Sequence, residues 1–322
     1  MRNVRTDLAL EAHELISDET SGIETSEETF DDVTINRVMV KTKEAEEKLG
    51  KPAGTYTTLS FPDARYIEKS IYETICKQIA NELNALINPS KKQPILVIGL
   101  GNRAITSDSL GPAVLDRLMI TRHLFSYAPD TISENLSSVC AIAPGVLGVT
   151  GIETEEIIRG VCKNVNPCAV ICIDALAARS IDRITKTVQI SNTGIHPGAG
   201  VGNNRKEISE KTLGVPVIAI GVPTVVDAAT ITDDTLNLVI DRLIDSMKGE
   251  ESSKFYKMLK DFSHEERYHL IASSVSKEIP HFMTTPKEID LLIGKAAEVV
   301  ANGINFALHK DITLEDIRAY IS

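Results

Sequence analysis

Two runs rich in Val, Ile, Thr and Tyr, residues 33–40 and 55–61, alternate in part between apolar and polar positions. Gly50-Lys51-Pro52 and Pro62 bound them, which predicts two short strands. Ile67, Ile71, Ile75, Ile79, Leu83 and Leu86 then recur at spacings of three and four, the period of an amphipathic helix, closed by Pro89 and Pro94. Beyond Pro94 the pattern changes to continuous apolar runs at 95–98, 138–142, 169–173 and 215–220, the last with Pro216 at a strand edge. Helical stretches are expected between them, over 112–124, 153–164 and 234–247. Apolar strands alternating with helices require a sheet covered on both faces, so the expected class is α/β: an open, mostly parallel sheet with helices on both faces. After Gly249 the pattern reads as helices only, near 252–262, 264–276 and 286–308, a C-terminal helical extension acting as a cap or a subunit-contact layer. At the other end, residues 8–32 are polar and acidic with sparse hydrophobes and read as a mobile arm before a core over 33–248.

With 322 residues and 43% hydrophobic content the chain has ample material for a core. Its 34 basic and 45 acidic residues give a net charge of −11, which argues against a phosphate-backbone binder and leaves neutral or basic protein partners open. No Lys/Arg cluster restores a nucleic-acid reading. The first residues lack an apolar secretory core, and no apolar run approaches about 18 residues, so the expectation is a cytoplasmic chain without a membrane role. Five cysteines without a C-x-x-C pair fit a reducing compartment and read as small buried hydrophobes. Seven histidines are scattered without an H-E-x-x-H pattern, which disfavours a standard zinc peptidase.

In an open α/β sheet, ligands bind beyond the carboxyl ends of the strands, which directs attention to three acids: Asp108, Asp174 and Asp227. Each could instead cap a helix. Two carboxylates held close cannot both ionise cheaply, so one keeps its proton while the other is charged, an acid and base pair able to activate a water against an amide carbonyl. Gly99-Leu-Gly101-Asn102-Arg-Ala104 also matches a dinucleotide-binding fingerprint, but residues 107–112 read as continuing loop and no ribose-binding acid stands about twenty residues on. The loop Thr193-Gly-Ile-His-Pro-Gly-Ala-Gly-Val-Gly-Asn203 reads either as a turn or as a substrate-facing loop with His196 as hydrogen-bond donor or metal ligand. Thr150 or Thr154 is a candidate cap for the helix that follows.

The ordered set Gly99-Leu-Gly-Asn102, Asp108-Ser-Leu-Gly-Pro112, Thr121-Arg-His-Leu-Phe125, Thr150-Gly-Ile-Glu-Thr154, Asp174-Ala-Leu-Ala-Ala-Arg179, Thr193-Gly-Ile-His-Pro197 and Gly221-Val-Pro-Thr-Val-Val-Asp227 resembles the germination protease family of spore-forming bacteria. The likeness spans nearly the whole chain. It implies an endopeptidase, without a cofactor, that degrades small acid-soluble spore proteins at germination, acts in the forespore and spore core, and assembles as a homotetramer. It implies two essential aspartates, at Asp108 and Asp174; Gly99, Gly101, Asn102, His196 and Asp227 are read beside them as substrate-binding or supporting residues. It further implies a zymogen whose residues 1–7 form a propeptide cut between Asp7 and Leu8, since the family prefers an acid, then a hydrophobic residue, then alanine. Val4 stands where an acid would be favoured. The Gly-x-Gly-Asn loop followed by an acid also resembles hydrogenase maturation peptidases, which share the fold type and place an acid at both positions around a metal. That leaves a metal-dependent peptidase as the alternative within the same chemistry.

Overall fold

The computed structural model describes residues 6–16, 20–87, 93–128, 132–197, 205–246, 271, 274 and 282–321. Apart from 271 and 274, the helices expected over 252–262 and 264–276 lie outside these residues, as do 198–203 of the glycine-rich loop.

A short helix α1 (Ala9–Glu14) precedes an antiparallel meander of β1 (Ile23–Phe30), β2 (Val33–Val40) and β3 (Gly54–Ser60). The first turn is two residues long, with Asp31 left-handed at φ 52, the conformation a tight hairpin demands. Between β2 and β3 lies α2 (Lys43–Leu49), capped by Thr42 at one end and by left-handed Gly50 at the other. The Ile-rich period forms α3 (Lys69–Leu86), whose buried face is Ile75, Cys76, Ile79, Ala80 and Leu83. Then follow β4 (Ile95–Gly99), α4 (Leu110–Leu115), α5 (Arg122–Tyr127), β5 (Val139–Ile142), α6 (Leu147–Thr150), α7 (Thr154–Val165), β6 (Ala169–Ala178), β7 (Thr187–Ser191), α8 (Glu210–Leu213), β8 (Val217–Asp227) and α9 (Ala228–Ser246). The two-residue β9 (Met283–Thr284), α10 (Ile289–Leu308) and α11 (Leu314–Ile321) complete the order.

The strands form one sheet in the order β1-β2-β3-β7-β8-β6-β4-β5, with β9 on the end of β8. Strands β5, β4, β6 and β8 are parallel, as the apolar runs predict, but β7 is antiparallel to both β8 and β3. The sheet is therefore mixed. The link from β6 to β7 holds only a single 3₁₀ turn at Ile181–Arg183, too short for a crossover helix, so the chain returns in the opposite direction and recruits the meander.

Side chains alternate across the parallel strands. Ile95, Val97, Ile171, Ile173, Ile218 and Ile220 join α3, α4 and α10 in the larger core, while Leu96, Ile98, Val170, Cys172 and Val217 meet Ile158 and Cys162 of α7 on the other face. All five cysteines are free thiols. Among the described residues α10 is the one helix long and apolar enough to cross a membrane, and its apolar positions lie in the larger core against α3. This helix belongs to the main core instead of capping it, because its apolar face covers the sheet beside α3.

Three further expectations differ from the structure. The helix expected over 112–124 is two helices, because Thr121 turns the chain onto β5: its N–H donates to the Val139 carbonyl (3.0 Å) and its hydroxyl accepts from the Val139 N–H (3.0 Å). The runs at 169–173 and 215–220 extend to Ala178 and Asp227, since parallel backbone pairing continues past the last apolar residue. The stretch expected as a mobile arm, 8–32, contains α1 and β1. Leu8 and Ala9 are both fully buried, and the Glu11 carboxylate accepts from the N–H groups of Arg179 (2.7 Å) and Ser180 (3.0 Å). Two apolar side chains with ready pockets and one satisfied buried acid outweigh the polarity of the stretch as a whole.

Helix α10 crosses α3 at Gly303, where an added Cβ would lie 2.4 Å from the Ile79 side chain. Gly303→Val should therefore overpack this crossing and lower the unfolding free energy by about 1–3 kcal/mol, read as a fall in urea midpoint at unchanged slope. An unchanged midpoint would show that the crossing yields freely.

Candidate active site

Asp108 is held by the loop that follows β4. Gly99 lies against Gly111, where a Cβ would meet the Gly111 carbonyl oxygen at 2.5 Å, so this pair lets α4 start beside the end of the strand. Gly101 has φ +109, and a Cβ there would stand 2.0 Å from the Asp108 carbonyl oxygen. Only glycine suits that turn. The Asn102 N–H closes the loop on that carbonyl (2.9 Å), and the Asn102 side-chain oxygen accepts from Ala104 N–H (3.0 Å). From β8, the buried Thr224 hydroxyl donates to the Ser107 carbonyl (2.7 Å). Helix α4 opens at Leu110, well beyond Gly101, so the second glycine shapes the Asp108 turn and no helix begins there to cradle a pyrophosphate.

Asp174 lies within β6, one strand away, and is only 7% exposed. The Leu100 N–H donates to the Ile173 carbonyl (2.8 Å), tying the start of the Asp108 loop to the residue before Asp174. The sheet register places Asp174 opposite Gly221 of β8, and Gly221 opposite Gln189 of β7. Residues directly opposite one another share a face of the sheet, so Asp174 and Gln189 stand on the same face, and over Gly221 between them lies the Leu176 side chain, 2.3 Å from where a Cβ would stand.

Burial, then the charge of Asp108, then that of Asp7 push the Asp174 carboxyl up to about 8, against the opposing effects of the Ala175 N–H (2.9 Å from Oδ1) and Arg205. Burial also raises Asp108, and the Asn102 N–H and the Arg205 guanidinium oppose it. The two environments therefore differ in degree: burial and a neighbouring acid raise Asp174 strongly, whereas half-buried Asp108 is raised against the pull of the Asn102 N–H and Arg205, so Asp174 is the readier of the two to hold a proton. Both line one cavity of about 450 Å³, with Arg205 and exposed His196 on its wall. Asp227 does not line it. That acid is drawn to α9, where Oδ2 accepts from the N–H and the hydroxyl of Thr230 (both 3.2 Å), so of three candidate acids the fold brings together two. Among the described residues no group of three His, Cys, Asp or Glu side chains is placed to hold a metal ion.

The cavity contains a third carboxylate, Asp7, on the chain's own N-terminal segment. Its N–H donates to the Ala177 carbonyl (2.9 Å) and its carboxylate accepts from the Ala177 N–H (2.8 Å), so residue 7 pairs with the far end of β6. Its carbonyl oxygen accepts from Lys51 Nζ (2.9 Å) and Gln189 Nε2 (3.3 Å). The Ala9 N–H donates to Gln189 Oε1 (2.7 Å). Leu8 enters an apolar cluster with Leu176, Ile184, Val226 and Ile293, and Ala9 packs against Val38, Val40, Ala45 and Tyr56. Burial drives Asp7 up and Lys51 down, each toward its neutral form, while their mutual attraction works against both shifts. Sequence reasoning marked Asp7 and Leu8 as a cleavage point but missed Lys51, read as turn punctuation, and Gln189, on a strand the pattern did not reveal.

Comparisons with known proteins agree on one family. The family model described as germination protease matches residues 3–259 and 245–321. A germination protease of Clostridium acetobutylicum is 47% identical over 331 residues, covering 100% of both chains. One from Clostridium perfringens is 44% identical over 327 residues, again covering all of both. A third, from Priestia megaterium, is 41% identical over 359 residues, covering 99% of this chain and 97% of its own.

A raised Asp174 has a consequence for stability. Above the ordinary carboxyl value of 3.8 the unfolded chain releases this proton, whereas the folded chain keeps it until about 8, so the carboxyl's contribution to stability falls as pH rises across that window. Asparagine carries no such proton and still offers an oxygen to Ala175 N–H. The melting temperature of Asp174→Asn relative to the parent should therefore climb steadily between about pH 4 and pH 8 and level off above it. A flat difference in thermal scans would show that Asp174 is already ionised in the folded protein.

Proposed function

This chain belongs to the germination protease family and is an endopeptidase of it, and we propose that Asp108 and Asp174 are its catalytic pair. The observation that carries this reading is the unequal environment of two carboxylates in one cavity already occupied by a stretch of peptide chain. Asp108 takes a proton from water as the water oxygen adds to the amide carbon. Asp174 gives its proton to the departing nitrogen as the C–N bond breaks. One proton has then moved onto Asp108 and one has left Asp174, and transfer between the pair restores the starting state. Gly99, Gly101 and Asn102 fix the Asp108 turn. His196 and Arg205 face the substrate from the cavity wall.

The substrates are small acid-soluble spore proteins, cleaved at germination in the spore core by a chain made in the forespore cytoplasm and assembled as a homotetramer. The chain is a zymogen that removes residues 1–7. Supporting this, Asp7 sits where a substrate acid would be met by the Ala177 N–H, followed by an apolar site filled by Leu8 and a small one filled by Ala9. Val4, in place of a favoured acid, makes the cut slow or conditional.

Asp108→Asn and Asp174→Asn should each abolish cleavage of a purified small acid-soluble spore protein with the circular dichroism spectrum intact, and mass spectrometry across a pH series should find a new N-terminus at Leu8 only in the parent. Activity in either folded variant would remove that residue from the mechanism, and the same cut in parent and variants would assign it to a contaminant.

A metal-dependent peptidase of the maturation type differs in one measurable respect, because a bound ion would itself generate the nucleophile. Exhaustive chelation should leave the rate unchanged. Loss of activity restored by one divalent metal would overturn the two-aspartate mechanism.

A further inference from the structure

We propose that Lys51 and Gln189 together bind the scissile carbonyl oxygen and stabilise the negative charge that grows on it. The inference rests on the two-aspartate peptidase reading and adds to it the electrostatic half of the chemistry. When water adds to an amide, the carbonyl oxygen becomes an oxyanion, and donors already aimed at that oxygen lower the barrier most when they need not reorganise.

Two side chains donate to the Asp7 carbonyl oxygen, Lys51 Nζ at 2.9 Å and Gln189 Nε2 at 3.3 Å. Their orientation is fixed by other contacts. The Ala9 N–H donates to Gln189 Oε1, so turning the amide over would set an NH₂ group against an N–H group; Nε2 is therefore the end that faces Asp7. Gln189 is buried at the middle of β7, paired with Thr58 on one side and Gly221 on the other. Lys51 follows Gly50, which ends α2 in the left-handed conformation, and precedes Pro52, whose carbonyl accepts from the Tyr56 hydroxyl (2.8 Å). That elbow aims its amino group at the Thr6 and Asp7 carbonyls. Asp174 stands on the same face, one strand beyond Gly221, whose missing side chain makes room for Leu176. The two donors reach the Asp7 carbonyl from β7 and from the turn after α2, and Asp7 lines the same cavity as Asp108 and Asp174.

Gln189 also spans the bond. One end of its amide holds the carbonyl of residue 7 and the other accepts from the N–H of residue 9. A peptide so held presents the Asp7–Leu8 unit with both flanks fixed, which is the positioning hydrolysis requires. As the water oxygen adds, the carbonyl electron pair moves onto oxygen and is met by the two donors. It returns when the C–N bond breaks, and the proton for nitrogen comes from Asp174, not from Lys51.

Lys51→Met and Gln189→Met in the full chain test this. The rate constant for hydrolysis of the Asp7–Leu8 bond, followed by mass spectrometry, should fall by about 10²–10³ for each. Docking is read separately by hydrogen exchange at the Asp7 amide, which is bonded to Ala177 and should remain protected in both variants. A folded Lys51→Met chain that cuts within about threefold of the parent overturns the proposal. So does a rate that falls only in proportion to lost Asp7 protection, which would make Lys51 a docking residue. Should one variant fail to fold by circular dichroism, the other carries the same comparison. A parent that does not cut itself is assayed on an added peptide spanning residues 4–14, where the loss should appear in kcat and an unchanged kcat overturns the assignment. Continued cutting by Asp108→Asn or Asp174→Asn would instead defeat the aspartate reading and is a distinct result.

Discussion

Two carboxylates that share one cavity make ionisation costlier there, and much of the surrounding structure follows from holding them in it. Asp174 is buried in a strand, with a neighbouring acid that makes its ionisation costlier. Asp108 must come close without being buried to the same degree. A loop from the adjacent parallel strand achieves this, closed by a left-handed glycine, a backbone hydrogen bond and a threonine from β8. The asymmetry between the two carboxyls is thus a product of their places, one inside a strand and the other in the loop after its neighbour, not of the residues' identity, which is the same.

The antiparallel half of the sheet serves a different purpose. β7 and the meander carry no carboxylate of the pair, yet they supply the wall against which an extended segment lies. Gln189 comes from β7, the Ala9 cluster from β2, α2 and β3, and Lys51 from the turn after α2. One half of the sheet holds the two carboxylates and the other half lies against the N-terminal segment. Gly221 sits at their junction, where a missing side chain makes room for Leu176 between Asp174 and Gln189.

What was legible in the sequence is what obeys a period or a positional rule. The recurrence of Ile67 through Leu86 gave α3, and acids placed after apolar strands pointed to Asp108 and Asp174. Asp227 satisfied the same rule and was diverted to cap α9, because a carboxylate at a strand–helix junction has two competing uses. β7 escaped notice since Thr-Val-Gln-Ile-Ser is five residues with a polar centre, and Gln189 was hidden with it. Lys51 was invisible for another reason: a lysine between glycine and proline in sequence gives no sign of the carbonyl it will meet in space. The 8–32 segment misled because average polarity weighs every residue alike, whereas its placement is decided by Leu8, Ala9 and Glu11.

On the two-aspartate reading, the docking of the N-terminal segment makes the protein its own competitor. A tethered peptide confronts the site at an effective concentration that does not change on dilution, on the order of millimolar for a short flexible connection. Any free peptide must exceed that value, or wait for the tether to be severed and its downstream stub to withdraw. The stub is the better anchored side, because Leu8 and Ala9 are sealed in separate apolar clusters and Glu11 is hooked to the Arg179 and Ser180 backbone. Cutting alone would therefore not clear the cavity. Onset of activity toward other chains would be timed by the unseating of α1, a unimolecular clock whose rate is indifferent to how much enzyme or substrate is present.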